Sequence, residues 1–407
     1  MVCYTALEEL RLPELSFLSA SGIIKTPEKE IPISGIFASL SENGDVVIEG
    51  KISAGHLEIN NFDIEFQDRN GWKVTGKKFS IFQESGAFVA GAVSGPHFVA
   101  FKAKGWKLIA DRGEISNDDE VNIYYIITDI KFASERRIPG FIEPGIKFSL
   151  DKLNNLVLIR SEALHVPLSV GYFAVSDEFS NYGRKWENYL DILQLMFRFA
   201  ATDFINLPVL YIKNRNGGEH LEITAYIEYG GRGSKIFYLS YPGSISDFVN
   251  STFDQFILMR EKLDLDKLIM YYIMMRNTGF VDNSYLLGCI FIEGLKYSFA
   301  KNIKNYGYDN TKHKFIRSTG VSYNFRELLQ ELYDEYHIRH GSTSFIRYRN
   351  EVVHEGKISS ISFDDILREK MELQITIDHL LLKILKYNGL YWDRPSREWV
   401  DYSSITT

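Results

Sequence analysis

The feature that most constrains the fold of this 407-residue chain is a change in its hydrophobic period near Pro242-Gly243. Before this dipeptide, short runs rich in Val, Ile, Phe and Tyr recur between turn residues, and several of them alternate apolar and polar residues. After it, apolar residues recur at helical spacing nearly to the end of the chain. A period of two indicates strands with one buried face, and a period near 3.6 indicates amphipathic helices. The sequence therefore predicts two regions of different structural class.

Residues 1–242 are predicted to form a β-rich region, either an antiparallel sandwich or a barrel. In the segment HLEINNFDIEFQ, at 56–67, most apolar residues fall at every second position. One helix is expected inside this region at about 182–200, where Trp186, Leu190, Leu193 and Phe197 fall at helical spacing. Further strands are expected at 207–214, 221–229 and 235–241.

Residues 243–407 are predicted to form an all-α helical bundle. We expect helices at about 246–277, 283–302, 323–338, 343–356 and 363–387. Ser344 and Ser362 are expected N-caps, and Asn388-Gly389 is the expected stop signal of the last helix. The predicted fold class is thus α+β, with the β-rich region followed by the bundle.

Composition excludes several classes of function. The formal net charge is −7, so no global basic field attracts nucleic acid, and any contact with RNA would have to be local. Cys3 and Cys289, the two cysteines, lie far apart, which excludes a disulfide scaffold and a thiolate zinc cluster and favours a reducing compartment. The apolar runs are too short to span a membrane, and the N-terminus lacks a signal-peptide pattern. We expect a cytoplasmic protein with no membrane contact.

The segment RYRNEVVHEG, at 347–356, concentrates polar groups on one short helix. On a helix, Arg347, Asn350 and His354 share one face, while the two adjacent valines take the core side. Arg349 is offset from His354, but its long side chain can reach over. The predicted helix therefore carries fixed cations, an amide and an imidazole.

These groups suit the cleavage of an RNA phosphodiester. The 2′-hydroxyl must lose a proton and the leaving 5′-oxygen must gain one, and a histidine titrates in the range that serves either step. An arginine stabilises the charge that grows on the phosphate oxygens, and an asparagine can orient the phosphate or the imidazole. This chemistry needs no metal and no cofactor.

The stretch from Arg349 to His354 resembles the RNxxxH signature of the HEPN superfamily, in which an arginine precedes a histidine by four to six intervening residues. Arg347 also fits this spacing, but the Arg-Asn dipeptide favours Arg349, and the choice between them stays open. Glycine often follows the histidine of the family directly, whereas Glu355 precedes Gly356 in this chain.

The resemblance extends to the arrangement of the chain. The helix YLLGCIFIEGLKYSF is similar to an apolar helix of the family that carries a single acidic residue, which is Glu293 in this sequence. A β-rich region followed by such a bundle is similar to the ApeA-type abortive-infection HEPN proteins. HEPN domains are helical bundles, and many are metal-independent ribonucleases of toxin–antitoxin, CRISPR and abortive-infection systems.

Several expectations follow from this resemblance. It implies an endoribonuclease of bacterial anti-phage defence, with a composite site formed where the bundles of a homodimer meet. The catalytic residues would be Arg349, Asn350, His354, Glu293 and Arg347. The β-rich region would serve as a sensor or regulator that answers a phage-derived trigger, which the sequence does not reveal. Transfer RNA as the substrate is a guess at the level of the family.

Other interpretations compete with this one. The helix could be an ordinary surface helix with i, i+4 ion pairs. The bundle could be a non-catalytic HEPN-type module that binds a ligand or partner. A carbohydrate-active β-domain has little support, since no pair of acids stands out for it.

Two further clusters are candidate binding groups. Lys312, Lys314 and Arg317, in a loop between two helices, could contact RNA phosphates, and a solvated loop is an equally good interpretation. His337 and His340 have a spacing that could bind a metal, but no third ligand is near them in sequence, so we predict no metal site.

Overall fold

The structure is a computed structural model, and it describes residues 16–40, 44–53, 60–85, 98–115, 121–128, 137–143, 146–152, 168–175, 185–202, 204–225, 244–338, 343–355, 358, 360–393 and 398–402. The chain divides into two compact units. The β unit comprises residues 1–131, 143–186 and 206–228, and the helical unit comprises 132–142, 187–205 and 229–407. The strand predicted at 235–241 and the dipeptide Pro242-Gly243 lie outside the described residues.

The β-rich character predicted for the N-terminal region is confirmed. The strands of the β unit are β1 (Ser16–Lys25), β2 (Glu30–Leu40), β3 (Val46–Ser53), β4 (Asn60–Gln67), β5 (Lys73–Ser85), β6 (Phe98–Gly105), β7 (Lys107–Arg112), β8 (Val121–Thr128), β10 (Ile146–Lys152), β11 (Leu168–Val175), β12 (Val209–Asn214) and β13 (Glu219–Thr224). A further strand, β9 (Arg137–Glu143), falls almost wholly in the segment assigned to the helical unit.

Six of these strands close into a barrel, which decides between the two predicted architectures. Their order is β1-β2-β3-β6-β5-β4, and β4 pairs with β1 to complete the circle through antiparallel ladders. Alternating apolar residues point inward because every second side chain of a strand lies on the same face. The buried core of the barrel includes Phe17, Ile33, Ile48, Phe62, Ile64, Phe79 and Phe101.

The sheet continues beyond the barrel through the long strand β5. Its first half pairs with β7, and the order then runs β7-β13-β12-β8-β11-β10. The strand predicted at 207–214 is observed as β12, and the one predicted at 221–229 is observed as β13, which begins two residues earlier. Residues 226–229, the end of this predicted strand, lie outside the described part of the chain.

The helical unit contains α1 (Lys185–Ala201), α2 (Ser244–Leu263), α3 (Leu265–Asn277), α4 (Val281–Ser298), α5 (Phe325–Glu335), α6 (Phe345–Glu355) and α7 (Phe363–Ile384). The helix expected at 182–200 is α1, and its residues from 187 onward group with this unit. A π-helical turn at Phe299–Ile303 follows α4.

The single helix predicted at 246–277 is wrong, because two helices occupy this range. Asp264 adopts a left-handed conformation, with φ of 56°, and this separates α2 from α3. Arg260 donates two hydrogen bonds of 2.8 Å to the carboxylate of Asp266, across the break. No glycine or proline marks the position, so the sequence gives no local signal of it.

The helix ends agree in part with the sequence signals. The Ser362 hydroxyl accepts a hydrogen bond from the backbone N–H of Asp365, as expected of an N-cap. The helix α7 ends earlier than predicted, at Ile384, because Lys386 takes a left-handed conformation before Asn388-Gly389 is reached.

The predicted helical character of the C-terminal region is confirmed, but the prediction that it is all-α is wrong. The hairpin β14–β15 (Gly307–Asp309 and Lys314–Ile316) occupies the segment expected to be a loop, and the hairpin β16–β17 (Leu390–Asp393 and Glu398–Asp401) follows α7. The second hairpin is held by aromatic contacts, since the His379 ring of α7 lies 5.8 Å from the rings of both Tyr391 and Tyr402. Aromatic edge-to-face packing of this kind adds to the area that each ring buries.

A buried polar network joins three helices of the unit. The Arg276 guanidinium of α3 donates to both carboxylate oxygens of Asp378 of α7, at 2.7 and 2.5 Å. The Tyr272 hydroxyl also donates to Asp378, at 2.8 Å, and itself accepts from Arg276. Gln374 accepts from Arg276 and donates to Ser284 of α4. The charges therefore lie among hydrogen-bonding partners, which a buried ion pair requires.

We predict that Asp378→Asn destabilises the protein by about 3 kcal/mol, because it leaves the Arg276 charge buried without a counter-ion. The free energy of unfolding is measured by urea denaturation of the full chain. The control is Asp364→Asn, an exposed aspartate on the same helix, for which we expect a loss below about 1 kcal/mol. Equal losses in the two variants would contradict the structural role of the network.

Candidate functional site

The helix that carries the sequence motif packs in the bundle through its apolar side. In α6, the side chains of Phe345, Tyr348 and Val352 are buried, and they lie within one helical stripe. The helix contacts α4. The Ser344 hydroxyl, just before α6, donates to the Glu369 carboxylate of α7. The motif helix is thus held against α4, and its start is held against α7.

Arg349 forms an ion pair with Glu293, the acidic residue of the apolar helix α4. An Nη2 atom of the guanidinium contacts Oε1 of the carboxylate, and both side chains are about one-third exposed, at 30% and 31%. Two residues that the sequence analysis selected separately are therefore in direct contact. Their catalytic roles remain predictions.

The second oxygen of this carboxylate binds another cation. The Lys296 ammonium donates a 2.8 Å hydrogen bond to Oε2 of Glu293, one helical turn earlier on α4. Its side chain is only 11% exposed. Two cations share one carboxylate, so the cluster keeps one positive charge in excess. We call Arg349, Glu293 and Lys296 the charged triad.

An aromatic ring from a third helix lies against both cations of the triad. The Phe325 ring centroid is 3.8 Å from the Lys296 ammonium and 4.8 Å from the Arg349 guanidinium carbon. Phe325 is the first residue of α5, which is fixed by a capping box between Asn324 and Glu327. Cation–π attraction and loss of water around the lysine both restrict where the two charges can lie.

The opposite side of α6 carries the other predicted polar positions. Arg347 is exposed, and its guanidinium carbon lies 5.3 Å from the Tyr348 ring centroid. Seven residues of an α-helix turn through about 700°, so positions 347 and 354 lie about 20° apart around the axis. The backbone of α6 includes positions 350 and 354, but the side chains of Asn350 and His354 lie outside the described residues. Their roles stay predictions.

Burial shifts the pKa values of α4 side chains near the motif helix. Burial is the main cause that raises the pKa of the Cys289 thiol to about 12, while the nearby Arg349 charge lowers it and Glu293 raises it. The Tyr285 pKa is raised by burial first and then by its neighbours. For Lys296, burial lowers the pKa, Glu293 raises it, and Arg349 lowers it again. A protonated, buried thiol is a poor nucleophile, so Cys289 serves packing.

The predicted RNA-binding residues lie on or beside the hairpin β14–β15. Lys312 and Lys314 are exposed, and the Lys312 ammonium lies 3.8 Å from the Asp309 carboxylate. Arg317 forms a 2.7 Å ion pair with Glu327 in the first turn of α5. The hairpin therefore connects, through α5, to the helix start that contacts the charged triad.

Of the two histidines considered for metal binding, the structure describes one. His337 is exposed, and His340 lies outside the described residues. In the part of the chain that the structure describes, no group of three or more His, Cys, Asp or Glu side chains is arranged to hold a metal ion.

The sequence analysis missed Lys296 and Phe325. A signal for the lysine exists, because Glu293 and Lys296 are i, i+3 neighbours on an otherwise apolar stretch of α4. Nothing in the sequence links Phe325 to this position, since it reaches the triad from a different helix.

Comparisons with known proteins give no identification. No family model, no curated protein and no solved structure matches the chain. Among the described residues, no helix is both long enough and apolar enough to cross a membrane.

We predict that Cys289 is unreactive in the folded protein, because its thiol is buried between helices and is protonated at neutral pH. In a Cys3→Ser background, Ellman's reagent at pH 8 should label Cys289 at least about a hundredfold more slowly than after unfolding in urea. The same background with Ser318→Cys, at an exposed position, provides a fast-reacting control. Rapid labelling of Cys289 would contradict the packing of this side of α4.

Proposed function

We propose that this protein is a metal-independent endoribonuclease of the HEPN class that acts in bacterial anti-phage defence. The observation that carries the proposal is the ion pair between Arg349, on the helix with the RNxxxH stretch, and Glu293, on the earlier apolar helix. These are the two helices on which the resemblance to HEPN domains rests. Their contact supports a common site formed by both.

The charged triad suits a phosphodiester as ligand. An arginine has five N–H donors, and the described residues give Arg349 one polar contact, through Nη2 to Glu293. Among the described residues its other donors contact no polar group, which leaves them for phosphate oxygens. The excess positive charge of the triad attracts the anion, and the partly buried position strengthens this attraction relative to open water.

The proposed reaction follows from these groups. His354 takes the proton of the 2′-hydroxyl, and the 2′-oxygen attacks the adjacent phosphorus. The bond to the 5′-oxygen breaks, and protonated His354 returns the proton to that oxygen, so the products are a 2′,3′-cyclic phosphate and a 5′-hydroxyl. Position 349 lies about 140° from position 354 around α6, so the long Arg349 side chain has to reach over to stabilise the charge on the phosphate oxygens, with Asn350 orienting the group. Arg347 is a second cation on the side of α6 that carries position 354.

A second copy of the chain completes the proposed site. Positions 347 and 354 lie on the side of α6 that faces away from buried Val352. Two such helices that meet in a homodimer would bring both sets of polar groups to one RNA strand. Lys312, Lys314 and Arg317 would contact more distant phosphates, and the β-rich region would hold the nuclease silent until a phage-derived trigger arrives.

One observation favours a second candidate, a non-catalytic module that binds a ligand or partner. The Arg349 charge is already balanced by Glu293, as in an ion pair that only stabilises helix packing. In that case the motif helix would serve dimerisation or partner binding, and the protein would leave RNA intact.

We predict that His354→Ala reduces RNA cleavage by about 10²- to 10⁴-fold and Arg349→Ala by about 10²- to 10³-fold. Total RNA from cells that express each variant, with and without phage, is resolved on a denaturing gel, and the fragment ends are tested for a cyclic phosphate. Arg347→Ala in the same series decides which arginine is the principal cation.

The matched control is His337→Asn, at an exposed histidine whose left-handed conformation asparagine tolerates. We expect it to cleave like the wild type. Circular dichroism and thermal melting confirm that each variant folds. Full cleavage by folded His354→Ala would refute the proposed mechanism, and intact RNA in every lane despite phage protection would favour the binding module.

A further inference from the structure

Lys296 is a cation in an unusual place. It lies on the apolar helix α4, its side chain is 11% exposed, and its ammonium touches the Glu293 carboxylate and the Phe325 ring. The RNxxxH stretch does not include it, and the resemblance of α4 assigned a role only to Glu293. A lysine loses much of its hydration in such a position, and this loss has to be offset by specific contacts.

The two cations of the charged triad differ in how far they are exposed to solvent. The ammonium of Lys296 is enclosed and held by a short hydrogen bond to Oε2 of Glu293. Arg349 is nearly three times as exposed, at 30%, and uses Oε1 of the same carboxylate. The arginine can therefore reach a ligand in solvent, whereas the lysine cannot follow it without leaving Phe325.

Without Lys296, the Glu293 carboxylate would compete with a phosphate for Arg349. If Glu293 had only Arg349 as its partner, a phosphate could bind the guanidinium only against the full attraction of a partly buried carboxylate. With Lys296 in place, the carboxylate keeps a counter-ion when Arg349 turns to the phosphate. The lysine thus lowers the free energy that is needed to move Arg349 from the Glu293 carboxylate to the phosphate.

We propose that Lys296 is a positioning residue for RNA binding, which keeps Glu293 neutralised so that Arg349 is free to engage a phosphate. This inference rests on the proposed function and adds a residue that controls how Arg349 engages the phosphate. The direction of the lysine pKa agrees with it. Burial and the Arg349 charge lower that pKa, so transfer of Arg349 to an anion favours the charged lysine that Glu293 then needs.

The test is a double-mutant cycle on RNA cleavage by the full chain. With the RNA identified on the gel, we expect Lys296→Met to raise KM about tenfold and to change kcat less than about threefold. Lys296→Arg, which keeps the charge, should retain a KM within about twofold of the wild type. Lys296→Met combined with Glu293→Gln should bind RNA more tightly than Lys296→Met alone, because the competing carboxylate is then absent.

Binding is measured separately with the same RNA carrying a 2′-deoxynucleotide at the cleaved position, which cannot react. The dissociation constant should follow KM across the variants. Lys262→Met, at an exposed lysine of the same unit, controls for a general loss of positive charge, and we expect a change below about twofold. If Lys296→Met does not fold, Lys296→Gln, which keeps a hydrogen-bond donor without the charge, should give the same increase in KM.

The outcomes separate the two proposals. An unchanged KM in folded Lys296→Met, or independent and additive losses in the double variant, would overturn the role of Lys296 while wild-type cleavage still supports a ribonuclease. A fall in kcat at unchanged KM would also overturn it, since that result indicates a role in the chemical step. A wild type that neither binds nor cleaves RNA in phage-infected extracts would refute the proposed function, and the inference would fall with it.

Discussion

The ion pair between Arg276 and Asp378 is the interaction on which the rest of the helical unit depends. Two charges this deeply buried are tolerated only where each hydrogen-bonding group finds a partner, and here the partners come from three helices. The requirement fixes the rotation of α3 and α7 about their axes more strictly than apolar contacts do, because a slight turn leaves a donor unpaired. Ser284 extends the same constraint to the first turns of α4.

The helix α4 transmits this constraint to the candidate site. Gly288 lies so close to α7 that a Cβ at this position would stand 2.7 Å from the Leu373 side chain. Its neighbour Cys289 and, one turn later, Glu293 lie on the side of α4 that faces Arg349. The Arg349 charge lowers the pKa of Cys289 and pairs with the Glu293 carboxylate. One face of the helix is thus anchored to the buried network while another presents a carboxylate to the motif helix. A displaced α4 would separate the arginine from its counter-ion.

Sequence patterns predicted much of this arrangement where the governing physics is local. The change of hydrophobic period, the Ser362 cap and the approximate ends of α6 all depend on residues within a few positions of each other. The resemblance selected both Arg349 and Glu293, but nothing in the sequence predicted their contact, since no periodicity links two helices that are more than fifty residues apart. The break at Asp264, the two hairpins and the cluster around Lys296 and Phe325 escaped prediction because tertiary contacts override weak local preferences there. The closed barrel could be named as an alternative, but its closure depends on pairing between β1 and β4, which local alternation does not encode.

Closure of the barrel has a consequence for how its strands can meet other molecules. Each of its six strands has a paired neighbour on both sides, so in the paired segments another polypeptide cannot extend this circle by adding a strand to an open edge. Backbone groups in the paired segments are already satisfied. Whatever this part of the chain contacts, the paired strands must make that contact with their outward side chains, such as the exposed Leu18, Phe37 and Phe82. Specificity there can change by surface substitution while the framework beneath stays the same.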